Sequence, residues 1–104
     1  MESAPQVKLV IDEASFTWDE AKTKVNQAKH GVHFEEAATV LLDPLAVDEE
    51  QDGPAGERRT RTTGWSQFPR ILLVVHTERG ATTRLISARR ATAAERRAYE
   101  FRAR

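Results

Sequence analysis

Three basic side chains lie close together near the front of the chain. Lys22, Lys29 and His30 fall in a stretch with helical spacing, which would present two amines and an imidazole from one short helix. Such a surface is electropositive and could hold a phosphodiester. The alternative is a solvated basic face that binds nothing.

A second group of cations lies in the back half, where residues 84–90 have the pattern of a strand. Strict alternation would place Arg84 and Arg89 on opposite sides of that strand. Arg89 could then reach toward a groove, since a guanidinium suits planar contact with phosphate or carboxylate. The alternative for Arg89 is an ion pair with an acidic residue from the first half.

The other candidate donors form no recognisable metal or nucleophile motif. Gly31 separates His30 from His33 and should end a helix, so the two imidazoles need not share a face. The chain has no cysteine, which excludes disulfides and thiolate metal sites. We therefore expect no metal and no cofactor. His76 ends an apolar run and is expected at the core or its rim, with a catalytic role as the alternative.

Charge is divided unevenly along the 104 residues. Residues 1–57 contain 13 acidic residues and 4 Lys, a net charge of −9, whereas residues 58–104 contain 3 acidic residues and 12 Arg, a net charge of +9. Either the two halves attract each other within one small fold, or the arginines form a face for a polyanion. The length suits a single domain. Without a signal peptide or an apolar run of ~20 residues, we expect a cytoplasmic protein with no membrane contact.

Capping residues predict the helices. Thr17 and Glu20 have capping-box spacing and Gly31 suits a C-cap, so the first helix is expected from about Trp18 to His30. Asp43-Pro44 should end a second helix that begins at Phe34 and runs to about Leu42. A third helix is expected after the capping box of Thr92 and Glu95. The expected apolar stripes are Ala21, Val25, Ala28 and Val32; Phe34, Ala37, Ala38 and Leu41; and Ala94, Ala98 and Phe101.

Strands are expected in the second half of the chain. Residues 71–75 form a continuous apolar run that suits a central buried strand, with neighbours at residues 59–65 and 83–88 and a short strand at residues 45–47. Residues 48–57 are acidic and contain Gly and Pro, which favours a loop. Residues 7–11 could be a short strand or part of a tail. The expected fold is α+β: two helices, an antiparallel sheet of three to four strands with the helices on one face, and a C-terminal helix.

Motifs spread over residues 16–100 carry a family resemblance. They are Phe16-x-Trp18-Asp19-x-x-Lys22-x-x-x-Asn26-x-x-Lys29-His30-Gly31-Val32, Phe34-Glu35-Glu36-Ala37, Asp43-Pro44, Arg59 with Gly64, Leu72-Leu73-Val74-Val75-His76-Thr77-Glu78-Arg79, Arg84-Leu85-Ile86-Ser87-Ala88-Arg89-Arg90-Ala91-Thr92, Glu95-Arg96 and Tyr99-Glu100. With these motifs the chain resembles the BrnT toxins of type II toxin–antitoxin systems. Residues 1–15 lie outside the resemblance as a variable N-terminal segment.

The resemblance implies a RelE-like α+β fold and a bacterial ribonuclease that cleaves RNA without metal and arrests translation. It also implies neutralisation by a ribbon-helix-helix antitoxin similar to BrnA, with DNA contacted only through that antitoxin. Two positions depart from the family pattern. His33 stands where a capping serine is usual, and Thr60-Arg61-Thr62-Thr63 replaces a strand that is usually apolar and aromatic.

RNA cleavage without metal requires a base, a cation for the phosphate and an acid for the leaving oxygen. We expect Arg59 and Arg89 to stabilise the phosphate and Lys29 or His30 to supply the base or acid, with all four in one cleft. Further phosphate contacts are expected from Lys22, Arg84, Arg90, His76 and Tyr99. The alternative function is a non-catalytic arginine-rich module that binds an acidic protein or a nucleic acid. A regulator that reads DNA alone is disfavoured because no helix-turn-helix spacing is found.

Overall fold

The computed structural model describes residues 5–102, in which six strands form one mixed sheet against three helices. The strands are β1 (Gln6–Ile11), β2 (Ala14–Asp19), β3 (Val47–Asp52), β4 (Arg58–Trp65), β5 (Ile71–Arg79) and β6 (Thr82–Arg90), and the helices are α1 (Glu20–His30), α2 (Phe34–Val40) and α3 (Ala93–Arg102). The α+β class is confirmed, with more strands than expected. Within residues 5–102, no helix combines the length and apolarity needed to cross a membrane.

The strand order is β1-β2-β6-β5-β4-β3. Strands β3 to β6 form the expected antiparallel meander. Strand β2 adds to it in parallel over a short stretch, where residues 15–17 pair with residues 82–84. β1 then pairs antiparallel with β2 at the edge of the sheet.

The β1–β2 hairpin corrects the expected start of the first helix. Asp12 and Glu13 both have positive φ (47° and 70°), as the two central residues of a type I′ hairpin turn require. Thr17 lies in β2 and donates its hydroxyl to the carbonyl of Val7 at 2.8 Å, so it caps no helix. Asp19 is the N-cap instead and accepts a hydrogen bond from the backbone N–H of Ala21. Gly31 adopts the left-handed C-cap as expected.

Half of the acidic stretch that was expected to be a loop, residues 48–52, is strand. β3 covers residues 47–52, and its acidic residues lie opposite a partner strand rich in arginine: Glu49 pairs with Arg61, and Asp52 with Arg58. Opposite charges across an antiparallel pair stabilise the pairing. These pairs of opposite charge also explain how the polar strand β4 is accommodated in the sheet.

The main core lies between one face of the sheet and helices α1 and α2. Trp18 and Phe34 pack edge to face with their ring centroids 5.9 Å apart, and Leu72 and Val74 of β5 lie against the same cluster. Helix α2 ends at Val40, short of the expected Leu42. His33 forms its N-cap position without a side-chain hydrogen bond.

Helix α1 is held through one polar residue, not through the expected apolar stripe. Val25 is 65% exposed, whereas Asn26 is buried. The Asn26 amide donates to the carbonyl of Ala88 at 2.8 Å and accepts from the Ala88 N–H at 3.0 Å. Because β2 leaves β6 after residue 84, this side chain supplies the hydrogen bonds that a neighbouring strand would otherwise make at that edge.

Helix α3 lies against the opposite face, so the expectation that all helices share one face is wrong. Its capping box is confirmed, since Thr92 and Glu95 exchange backbone-to-side-chain hydrogen bonds. The expected apolar stripe of this helix is exposed, and Phe101 is 70% exposed. Tyr99 is the residue that α3 buries.

Candidate functional site

Five arginines project from the sheet face opposite α1 and α2. Residues directly across an antiparallel pair share a face, and Arg84 lies opposite Thr77 while Arg89 lies opposite Leu73. Thr77 and Leu73 alternate onto the same side of β5. The five side chains that share this side, which we call the arginine face, are Arg59, Arg61, Arg79, Arg84 and Arg89.

A bulge explains why strict alternation misplaced Arg84 relative to Arg89. Between the pairs Val75–Ser87 and His76–Leu85 the register shifts by one residue, so Ile86 is the extra residue on β6. One inserted residue restores both arginines to a common side of the strand. The expectation that they point to opposite sides is therefore wrong.

Glu57 lies among three arginines at one end of this face. Arg59 Nε donates to Glu57 Oε1 at 2.9 Å, and Arg79 lies 3.6 Å from the other carboxylate oxygen. The hydrogen bond from Arg59, with the charges of Arg79 and Arg84, lowers the pKa of Glu57 below its usual value. This carboxylate stays ionised at neutral pH and partly neutralises the local positive charge.

Glu95 organises the other end of the arginine face. Arg89 donates two hydrogen bonds of 2.8 and 3.0 Å to the Glu95 carboxylate, and a guanidinium nitrogen of Arg61 lies 3.4 Å from one of its oxygens. The Thr92 backbone N–H donates to the same carboxylate at 2.8 Å. The hydrogen bonds from Arg89 are the main cause of the lowered pKa of Glu95, about 2. Arg89 is thus fixed in orientation by an ion pair, but the partner is Glu95 in the second half of the chain, so the expectation of a partner from the first half is wrong.

The four expected catalytic residues are not brought into one cleft. Arg59 is bonded to Glu57 and Arg89 to Glu95. Arg89 aligns across the sheet with Thr63, four residues from Arg59, which separates the two by about 13 Å along the strands. Lys29 and His30 end α1, beyond the edge of β6 at Asn26. The expectation that these four residues share a single cleft is therefore wrong, and their roles in RNA cleavage stay predictions.

Several of the expected cations are unpaired within residues 5–102. Lys22, Lys29 and Arg90 are exposed, and His30 is half-buried. Lys22 lines a cavity of about 360 Å³ between α1 and β6, together with Ile86 and Ser87. These groups can contact a bound anion without first breaking an ion pair with a described residue.

The geometry of His76 and Tyr99 argues against phosphate contacts by either. His76 is buried, with Nδ1 3.2 Å from Glu78 and Nε2 2.8 Å from the hydroxyl of Thr62. Thr62 donates its one hydroxyl hydrogen to Asp48, so the N–H of His76 Nε2 must donate to Thr62. The ring is thus engaged by protein groups, in keeping with the core-or-rim expectation.

Tyr99 is likewise tied to the fold. It is 3% exposed, and its hydroxyl donates to Asp43 Oδ2 at 2.5 Å. Burial, together with the hydrogen bond to Asp43, raises the pKa of Tyr99 to about 12. The tyrosine therefore anchors α3 to the turn after α2.

Sequence reasoning missed the buried ion pair between Glu36 and Arg70. Glu36 is a carboxylate in the first turn of α2, yet it is only 2% exposed. It accepts hydrogen bonds from Arg70 at 2.6 and 2.7 Å and from Ser66 at 2.7 Å. Burial alone would raise the pKa of Glu36, and these bonds reverse the shift and lower it. The available signal was that Glu36 is four residues before the buried Val40, on the same helix face.

Comparison with known proteins decides the family. The model of the family described as "Ribonuclease toxin, BrnT, of type II toxin-antitoxin system" matches residues 18–95. The chain belongs to the BrnT family. A 1.1 Å crystal structure of the Brucella abortus ribonuclease toxin BrnT is also similar, with 27% sequence identity and a TM-score of 0.53; the match covers 72% of this chain and 92% of that one. No curated protein gives a significant match.

The BrnT match includes the whole arginine face and both of its carboxylates, Glu57 and Glu95. It also includes α1 with its unpaired basic groups. Strand β1 and most of β2 precede the matched residues, and the second half of α3 follows them. The family region thus contains every candidate residue for RNA chemistry except Tyr99, which the fold uses as an anchor.

Proposed function

We propose that this BrnT-family chain is an endoribonuclease toxin that cleaves RNA without metal and thereby inhibits translation in the bacterial cytoplasm. The observation that supports the proposal best is the arginine face with two of its guanidiniums already oriented by Glu95. Arginine stays charged at any physiological pH, so it can stabilise negative charge on phosphate but cannot act as a base. We also propose that the fold is RelE-like.

The proposed chemistry assigns different tasks to the two basic regions. Arg89, held by Glu95 in one orientation, would stabilise the charge that develops on the phosphate during attack by the ribose 2′-hydroxyl. Glu95 has a pKa near 2 and is too weak a base to remove that proton at neutral pH. Lys29 and His30 lie outside the cleft of Arg89, so we propose them, with Lys22, Arg84 and Arg90, as contacts along the RNA, and Arg59 as the ligand of a second phosphate.

The test is cleavage of a labelled RNA by purified protein in a chelator such as EDTA. Arg89→Ala should slow cleavage on the order of a hundredfold, because removing one oriented donor to the transition state typically costs that much. Arg97→Ala is the matched control: Arg97 is exposed on α3 and has no side-chain hydrogen bond or ion pair with residues 5–102. Wild-type cleavage that stops in EDTA would refute metal independence, and full activity of Arg89→Ala would remove Arg89 from the site.

The pairing of the arginine face favours one alternative, a binding module that breaks no bond. Arg59, Arg61 and Arg89 each already contact a carboxylate, which suits exchange with the carboxylates of an acidic partner. Such a module would bind nucleic acid or acidic protein with a strong salt dependence to which many arginines contribute. RNA that is bound but left intact by the wild-type chain would favour this alternative.

We further propose an antitoxin partner of the BrnA-like ribbon-helix-helix class, through which alone the complex would contact DNA. A toxin of a type II pair needs a protein that neutralises it, and the arginine face is a suitable surface for acidic side chains. Co-expression of such an antitoxin should restore growth and co-purify with the chain. Growth arrest that persists in its presence would contradict this assignment.

A further inference from the structure

Trp65 differs from the other tryptophan of the chain in being open to solvent. Trp18 is 1% exposed, whereas Trp65 is 44% exposed. Its backbone is nevertheless firmly held: the Trp65 N–H donates to Asp43 at 2.9 Å, and the residue pairs with Ile71 across the sheet. Gly64 before it packs so closely that an added Cβ would lie 3.0–3.2 Å from Asp43, Ala46 and Val40. The backbone that carries the exposed indole is therefore fixed.

The exposed indole lines a cavity of about 290 Å³ between the end of β4 and helix α3. The walls combine apolar groups with three cations and one carboxylate. The lining residues are Trp65, Pro69, Arg70, Ile71, Arg90, Ala91, Arg96 and Glu100. This composition is unlike that of a purely apolar docking groove.

The arginines of this cavity differ in how far they are already engaged. Arg70 is bonded to the buried Glu36, and Arg96 reaches only the carbonyl of Ala91 at 3.2 Å. Arg90 is exposed and has no side-chain hydrogen bond or ion pair with any residue between 5 and 102. The cavity thus offers an aromatic surface beside at least one free guanidinium.

We propose that this cavity binds one nucleotide of single-stranded RNA, with the base stacked on Trp65 and a flanking phosphate on Arg90 or Arg96. Flat aromatic side chains next to arginines are the usual means by which proteins hold unpaired bases without reading their sequence. Trp65 and Arg61 alternate onto the same face of β4, and helix α3 packs on that face with Glu95 beside Arg61 and Arg96 beside Trp65, so the cavity is a separate contact on the other side of α3. The inference rests on the proposed function, because RNA is the substrate that it extends.

Trp65 fluorescence gives a test that does not depend on cleavage. The probe is a short 2′-O-methyl oligoribonucleotide, which lacks the hydroxyl needed for cleavage, titrated into the full chain. Stacking should quench the exposed Trp65, and Trp65→Phe should abolish the quench because Trp18 is buried. Trp65→Ala should weaken binding roughly tenfold, within the range known for loss of one stacked base. An oligomer with abasic sites should bind the wild type about as weakly.

Two further variants control for folding and for the nature of the ligand. Phe68→Ala removes another exposed aromatic, 62% exposed and outside the cavity lining, and should leave RNA affinity unchanged. Arg90→Gln should weaken binding severalfold at low salt and needs no change in the core. The proposal is overturned if the oligomer binds without quenching, if abasic and normal oligomers bind equally, or if Trp65→Ala loses only antitoxin binding. A wild type that is quenched but never cleaves RNA would refute the ribonuclease and leave the base site standing.

Discussion

Two pairs of Glu and Arg lie at different depths in this molecule. Glu36 and Arg70 connect α2 to the start of β5, and the Glu36 side chain is 2% exposed. Glu95 and Arg89 lie on the arginine face with side chains 22% and 34% exposed. Both pairs have two-point hydrogen bonding, so the difference lies in what surrounds them. The buried pair holds α2 against the start of β5, whereas the face pair holds a guanidinium where a phosphate can reach it.

The largest effect should come from breaking the buried pair. Arg70→Ala leaves the Glu36 carboxylate buried without its main partner, which typically costs about 3–5 kcal/mol. For a chain of this size, that corresponds to a fall in Tm of at least about 12 °C. Thermal unfolding followed by circular dichroism measures it, with Arg97→Ala as the control. A Tm within two or three degrees of the wild type would show that Glu36 is solvated or neutral when Arg70 is absent.

The contribution of the face pair to stability should depend on pH through Glu95. The pKa of Glu95 is about 2 in the folded chain and 4.5 ordinarily. A carboxylate whose pKa is lowered by folding stabilises the fold above its unfolded pKa and loses that contribution as pH falls through the folded value. The stability difference between wild type and Glu95→Gln should therefore shrink from pH 5 to pH 2. Urea unfolding at pH 7, 4 and 3 measures it; a difference that stays constant across this range would contradict the assigned cause.

The sequence correctly predicted the helix ends that depend only on nearby residues. Gly31 ended α1, and Thr92 with Glu95 opened α3, because each cap is completed within four residues. The type I′ turn at residues 12–13 was missed because Asp-Glu lacks the Asn-Gly or Asp-Gly signal of such turns. The acidic β3 was missed because its neutralising arginines lie on another strand.

The parts of the site that could not be predicted depend on contacts far apart in the sequence. Glu36 meets Arg70 across 34 positions and Tyr99 meets Asp43 across 56, so residue type alone did not show which charges are buried. The bulge at Ile86 reversed the expected face of Arg84 relative to Arg89. Conversely, the motifs of the BrnT resemblance needed no geometry, and the family was correctly identified from them.

The smallest effect should come from an ion pair that is neither buried nor on the arginine face. Arg58 and Glu50 bridge β3 and β4 at 2.5 Å, with side chains 67% and 74% exposed. Water screens such charges and the side chains lose entropy on pairing, so exposed pairs typically contribute about 0–1 kcal/mol. Glu50→Gln should therefore shift Tm by only a few degrees and leave RNA cleavage unchanged. A fall in Tm comparable to that of Arg70→Ala would mean that cross-strand charge, and not burial, sets the strength of ion pairs in this sheet. The contrast between the Glu36–Arg70 and Glu95–Arg89 pairs would then need another explanation.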